Sequence, residues 1–600
     1  MSEMRLRNEK SNVVGRSILI NSLAICLNLV AVFFIVKGFH TSTVDNASTY
    51  QYLGFGLLIL SLVSMYFLKG IFLFSYVSRA IVGGLFIVSG LVKANDPWGF
   101  AFKLEEYFAP DGLAFDYPFF TAFEPYVLEI SILVCVAEIV LGVAVVLGGK
   151  IKLTSWLLIL LMLFFTWLTW YTFSCVDTRE FLSSLDPALL TDAQVAQLGR
   201  QCVTDCGCFG DALRGSVGRS LTPLESFWKD LVLLYFGLII FFNQWRIKLN
   251  SVMENYLMIP ASILVVIFFC WVFGWIFPLF FAIIAFLGAI VFSNVKIGKM
   301  GKAWKMAIYV SVITLLFSVY TSSYLPVKDY RPYAIGNNIA EKMNDGIDEV
   351  SDFVLYYKNK ETQAVDTFQV DQWEIYGNTE LYEYVDRKTI VISAGKPNSI
   401  SDFLARVDYR KLTEEELKIP FIDSVIKADY YAYYQEKMVL NYAGGADTIA
   451  VMDYDTLYYP DSMYTKGDVF VDLIDPADPF SINLTNYLQS AENIFIMTIR
   501  DIENINENSM DEMKALYQGT LDKGLPFYVL SPASDQQIDA FKQKFDFNPT
   551  FLQFDGTEVK ILVRSNPGLI LIDKGTVIDK WPSRSIPDFK DVYKRYIEPK

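Results

Sequence analysis

The chain has 600 residues, 53% hydrophobic and 16% aromatic against 20% charged, with mean hydropathy +0.32, which excludes an ordinary soluble globule and a disordered chain alike. Its formal charge of −15 is unevenly spread: residues 1–325 carry 20 acids and 22 bases, whereas 326–600 carry 46 acids and 29 bases. Neither half has the basic stripe that phosphate binding needs, so nucleic acid is not an expected partner. The single histidine, His40, excludes His-based triads and multi-His metal or haem sites.

Apolar runs long enough for the ~30 Å hydrocarbon core predict nine transmembrane helices, with the lipid bilayer as the first partner. They lie near 16–38, 51–70, 74–94, 126–148, 151–174, 226–245, 256–275, 277–294 and 305–325. The first is read as a retained helix, since Cys26 and Asn28 interrupt its core and no small-residue cleavage site follows. Within 256–294, Phe277-Pro278 marks either a hairpin between two helices or a kink in one. Basic residues cluster at Arg5 to Arg16, Lys69, Lys150 and Lys152, Arg246 and Lys248, and Lys296 to Lys305. With nine spans these all fall on one side, the cytoplasm, which exports 95–125, 175–225 and everything after 325.

Cys26, Cys135 and Cys270 sit in apolar runs, as small hydrophobes do. Cys175, Cys202, Cys206 and Cys208 all fall in the exported loop 175–225 and are expected to form disulfides, with three connectivities open. Closing Cys206 onto Cys208 is strained, which favours cross-pairing with Cys175 and Cys202. A strained pair is also the more easily reduced.

Residues 74–245 resemble the DoxX family and the related MauE family of methylamine-utilisation membrane proteins. The features that carry this are Arg79, the run Ser89-Gly90-Leu91-Val92-Lys93 before Asp96-Pro97-Trp98-Gly99, and Lys103 with Tyr107. Further on come Glu138 with Gly142 and Gly148, the loop Cys206-Gly207-Cys208-Phe209-Gly210, and Trp228-Lys229-Asp230. The resemblance implies a four-helix membrane module like that of vitamin K epoxide reductase, a bacterial inner-membrane location, and periplasmic thiol–disulfide chemistry at Cys206, Cys208, Cys175 and Cys202. It also implies a quinone as cofactor, although no Cys-x-x-Cys lies in a span. No nucleotide motif or metal-ligand cluster is present in the sequence.

Arg79, Lys93, Glu138, Lys229 and Asp230 lie in or at the ends of spans, where an unpaired charge costs at least ~2.5 kcal/mol. Glu138 is the deepest, and is read either as a proton-handling or ligand-binding carboxylate or as a structural partner of Arg79 or Lys229. Lys93 at the exported mouth is expected to snorkel.

Pro326 ends the membrane half. Short strand-like runs, Phe353–Tyr357 and Thr389–Ile392 among them, alternate with polar helical stretches and predict an exported α+β region over 326–485. Asp468, Asp472, Asp475 and Asp478 are read as a solvated linker. From 486 to 600 the pattern is strand 493–498, helix 506–523, strand 526–531, helix 534–545, then strands 569–573 and 576–581 about a Lys574-Gly575 turn, and a final helix near 587–597. This order resembles thioredoxin, and Pro567 is then the cis-proline candidate. The domain contains no cysteine: Arg500 to Asn506 stands where a redox pair would sit, so thiolate catalysis there is excluded.

The expected organisation is therefore two N-terminal spans (1–73), a DoxX/MauE-like module (74–245), three further spans (246–325), the α+β region and the thioredoxin-like domain. Three functions fit it: thiol–disulfide chemistry in which the last domain binds a periplasmic partner or client, a non-enzymatic envelope scaffold with structural disulfides, and a transporter or lipid-handling role centred on Glu138. The last lacks the support of an inverted repeat.

Overall fold

Long apolar stretches satisfy their own backbone only as helices when no water is at hand, and seven of the nine expected spans fall on helices among the described residues. The computed structural model describes residues 72–183, 190–203, 207, 209–218, 220–296, 299–348, 350–393, 395–451, 463–473 and 480–598, with Val30, Leu53, Gly56, Leu57 and Leu60 described singly before them. The rest of the first two expected spans, with Cys26 and His40, lies outside the described residues, as do Cys206 and Cys208. The chain divides into two units, residues 1–322 with 326–330, and residues 323–325 with 331–600.

In the first unit the helices are α1 Phe72–Asn95, α2 Pro97–Phe108, α3 Val127–Leu147, α4 Ile151–Ser183, α5 Pro223–Asn243, α6 Val252–Val272, α7 Phe277–Ser293 and α8 Lys302–Ser323. Five of them, α1, α3, α4, α6 and α8, are long and apolar enough to cross a membrane, while α7 has only 17 residues. Helix α5 is 21 residues long but carries Glu225, Lys229 and Asp230, and is not among the five. By length and composition the described residues thus support five spans, and the first two of the nine expected spans lie almost wholly outside them. Phe277-Pro278 proves to be a helix start: α6 ends at Val272, Gly274 turns the chain at φ +56°, and Pro278 sits in the first turn of α7, where its missing N–H is no loss.

Basic residues do more than flank these helices. Lys305 at the start of α8 is buried and donates to the carbonyls of Ser293 and Val295 at the end of α7, closing carbonyls that a helix C-terminus leaves open. Arg79 does the same for α3, as described below.

The second unit is built on a seven-stranded sheet in the order β13-β12-β9-β10-β11-β4-β8. Its strands are β4 Arg406–Asp408, β8 Ser481–Asn483, β9 Ile494–Thr498, β10 Phe527–Ser531, β11 Thr550–Gln553, β12 Gly568–Asp573 and β13 Thr576–Pro582. β10 runs parallel to β9 and β11, and β12 is antiparallel to β9 and β13. Alternate residues face opposite layers: Ile494, Ile496, Leu530 and Ile570 enter one core, and Phe495, Met497, Val529 and Leu569 the other. Both faces are covered, which is why β9 and β10 read as unbroken apolar runs. Helices α9 Met510–Asp522 and α10 Asp535–Phe545 supply Met513, Leu516 and Phe541 to the second core. The hairpin turn uses Lys574 at φ 48° and Gly575 at φ 74°, the pair of positive angles a two-residue hairpin needs. Segment 336–339 pairs with Val577 and Gly575 and covers the β13 edge.

Two departures from the sequence reading stand out. β4 and β8 come from residues before 486, so the sheet runs across the boundary expected at 485; neither three-residue strand has the length to reveal itself by alternation. The second concerns the acidic linker. β1 Val350–Asn359, β2 Val365–Gln369 and β3 Tyr382–Ser393 form one antiparallel sheet, and β5 Tyr434–Tyr442, β6 Gly445–Ala450 and β7 Tyr464–Leu473 another. Asp468 and Asp472 lie within β7 and not in a linker, Asp472 pairing with Lys437 of β5 at 2.7 Å. Asp475 and Asp478 lie outside the described residues.

Candidate functional site

Helices α1 and α3 approach closely because both carry glycine where they cross. A Cβ on Gly83 would stand 2.9 Å from the Gly142 carbonyl, and one on Gly90 would stand 2.6 Å from Ile139 and 3.2 Å from the Cβ of Glu138. One turn beyond Gly90, Lys93 turns inward and meets Glu138, its Nζ lying 2.7 and 2.8 Å from the two carboxylate oxygens and 2.8 Å from Ser89 Oγ. The two side chains are 1% and 5% exposed. Lys93 therefore does not snorkel, because a carboxylate within reach in a dry interior outweighs a stretch to water. Glu138 is partnered by Lys93, and not by Arg79 or Lys229 as the sequence suggested.

Arg79, at the other end of α1, is 1% exposed and is satisfied mainly by backbone. Its Nε donates to the Val145 carbonyl at 2.9 Å, and its Nη2 to the Val146 carbonyl at 2.8 Å and to Asn250 Oδ1 at 2.6 Å. The guanidinium is thus a cap on the C-terminus of α3, where the helix dipole also favours a cation.

Lys229 and Asp230 pair with each other at 2.9 Å near the start of α5. With Ser89, Glu138 and Phe209 they border a cavity of about 30 Å³, and Asp230 Oδ2 is buried without a hydrogen-bond partner. A second cavity of about 60 Å³ adjoins Lys93, Lys103, Gly207 and Phe209. Phe209 belongs to both linings, with the Lys229 ammonium 5.3 Å from its ring centre. By volume these two spaces accept a few water molecules and not a quinone ring.

The 175–225 loop contains a disulfide between Cys175 and Cys202, with Cα atoms 5.7 Å apart. Cross-pairing of either residue with Cys206 or Cys208 is therefore not what this structure contains. Arg200 lies against the bond: its Nε is 3.2 Å from Cys175 Sγ, its Nη1 is 3.0 Å from Asp116 Oδ2, and its Nη2 is 3.3 Å from Tyr171 Oη. Tyr171 also donates to Asp116 at 2.8 Å, and the guanidinium packs 5.4 Å from the Tyr171 ring centre. The segment is held from both sides, since Gln201 N donates to the Asp111 carbonyl and Val203 is buried with Phe108 and Phe120. Arg200, Asp116 and Tyr171 escaped the sequence reading; the one available signal was a cation two residues before Cys202.

In the second unit, Pro567 follows Asn566 through a cis peptide bond at the entry to β12. Asn566 also fastens the 500–506 segment: its Oδ1 accepts from Arg500 N at 3.1 Å and its Nδ2 donates to the carbonyls of Asp501 and Asn504.

Residues 71–176 match the family model of methylamine utilisation protein MauE, a DoxX/MauE-like membrane family. The match takes in α1 to α3 and most of α4, with Arg79, Lys93, Glu138 and Cys175, and stops short of Cys202, the Cys206–Gly210 loop and α5. No curated protein and no solved structure matches the chain. Together with the five apolar helices, the match supports a polytopic helical membrane protein that is similar to MauE over residues 71–176.

Proposed function

We propose that the chain is a bacterial inner-membrane protein, N-terminus in the cytoplasm, that works in periplasmic thiol–disulfide chemistry during maturation of exported proteins. The observation that carries this reading is the Cys175–Cys202 disulfide: one loop of about fifty residues holds an oxidised pair and, at Cys206 and Cys208, two further cysteines that can exchange with it. The C-terminal unit binds the partner or client. Its β13-β12-β9-β10 order, with β9 and β10 parallel and β12 and β13 antiparallel, supports a thioredoxin-like reading of residues 486–600, and the absence of cysteine after Cys270 assigns it recognition and not redox.

The test is the redox state of the four thiols in native membranes, followed by alkylation-shift mass spectrometry with and without glutathione-strength reductant. The reading expects Cys175–Cys202 to open and close under these conditions, and Cys208→Ser or Cys206→Ser to accumulate a mixed disulfide with another protein. A bond that never opens sinks it. The burial of Cys175, 4% exposed, supports a second reading, an envelope scaffold whose disulfide is structural; the same experiment separates the two.

A further inference from the structure

A disulfide has two sulfurs, and which one is attacked decides which cysteine forms the covalent link to a partner. Around Cys175–Cys202 the two are not equivalent. Cys175 is buried at 4% exposure on α4, whereas Cys202 lies half-buried on the connecting segment. Arg200 is directed at Cys175 alone among the two, Nε to Sγ 3.2 Å, and Asp116 and Tyr171 fix it there. A fixed guanidinium beside one sulfur favours the thiolate that forms on it, and exchange is faster when the departing sulfur is the better stabilised thiolate.

We infer that Arg200 makes Cys175 the departing sulfur and Cys202 the sulfur that partners attack. An incoming cysteine thiolate forms a bond to Cys202 Sγ while the Cys175–Cys202 bond breaks. The electron pair of that bond leaves on Cys175 Sγ as a thiolate held by Arg200, which later takes a proton from water. The incoming sulfur is oxidised to one half of a mixed disulfide on Cys202, and Cys175 is reduced. A second thiolate then attacks the incoming sulfur and frees Cys202. Burial agrees with this direction, since a nucleophile reaches Cys202 without entering the helix packing that covers Cys175. The assignment rests on the thiol–disulfide reading and adds the polarity of the bond, with Arg200 as the residue that sets it and Asp116 and Tyr171 as positioning residues.

The experiment uses the full chain in lipid nanodiscs, carrying Cys206→Ser and Cys208→Ser so that Cys175 is the one thiol of this loop that faces the adduct. Glutathione is added, the reaction is acid-quenched early, free thiols are alkylated, and peptides are mapped. The expected result is glutathione on Cys202 and alkylation on Cys175, in excess over the reverse by about tenfold. In Arg200→Gln the excess falls toward parity and opening slows on the order of tenfold, while Arg200→Lys recovers part of both. A merely structural Arg200 would change stability and leave the adduct ratio alone. Adducts on Cys175, an even split with Arg200 intact, or a ratio unmoved by Arg200→Gln overturn the inference while leaving thiol–disulfide chemistry standing. A bond that glutathione does not open at all overturns both.

Discussion

The same three chemical groups, a carboxylate, an ammonium and a serine hydroxyl, meet in both units of this protein, in different surroundings. In the helical unit Glu138 receives Lys93, which also holds Ser89, and the ion pair is almost wholly buried. In the second unit Asp345 accepts from the Ser399 hydroxyl at 2.7 Å and its backbone N–H at 2.8 Å, with Lys342 and Lys396 at 3.4 and 3.7 Å. Burial alone would raise the Asp345 carboxyl, but the Ser399 hydrogen bonds and the two lysines outweigh it and hold it below the ordinary carboxylate range. Between apolar helices bulk water does not compete with either partner. At a wet surface water replaces either one, so a similar pairing contributes far less.

That contrast is open to direct attack. The largest effect belongs to Glu138→Ala, which takes the carboxylate away from a buried ammonium and is expected to destabilise the helical unit by about 3–5 kcal/mol. Thermal unfolding in detergent micelles measures it, and Lys93→Met combined with Glu138→Leu should restore most of the loss. A double variant as unstable as the single one would mean that the pair does more than satisfy itself. Arg79→Ala removes three charge-assisted hydrogen bonds at the end of α3, with an expected cost of about 2–3 kcal/mol in the same assay. Arg79→Lys should recover only part, because one ammonium lacks the planar fork that reaches two carbonyls and Asn250 together.

Gly90→Ala drives a methyl into Ile139 and the Cys135 carbonyl, and a net loss of about 1 kcal/mol is expected after its better helix propensity is credited. If stability rises instead, the close approach of α1 and α3 is not what sets the Lys93–Glu138 geometry. The smallest effect is Asp345→Asn, below about 1 kcal/mol at neutral pH. Because the folded-state carboxyl titrates below its unfolded value of roughly 3.9, its contribution is present above that pH and is lost as acid carries it through the folded value. Wild type and variant should therefore converge in acid melts. Separation that persists once acid has protonated the carboxyl in both states would assign the effect to shape and not charge.

Much of the architecture was legible along the chain, and the reason is local. Apolar length announces a helix wherever water is absent, so α1 and α3 to α8 lie close to the expected spans. Short apolar runs bounded by turns likewise located β9, β10, β12, β13 and the helices between them. β11 and the helix Gly556–Leu562 were missed, being four and seven residues long and without a clear period of their own. The candidate site was half legible. Lys93, Glu138, Lys229 and Asp230 were conspicuous as charges in apolar runs, but which of them pair was not.

What the sequence determined by itself is therefore the set of elements, the separation into an apolar helical half and an acidic sheet-bearing half, and the short roster of cysteines and membrane charges where chemistry can occur. Tertiary structure alone decided the partnerships. Lys93 finds Glu138 across 45 residues because glycines let α1 and α3 touch. Arg79 caps α3 and not the membrane surface because Val145 and Val146 end beside it. Arg200 meets Cys175 rather than solvent because Asp116 and Tyr171 hold it there. Each of these joins residues far apart in the chain, and local periodicity carries no information about which distant group will arrive opposite.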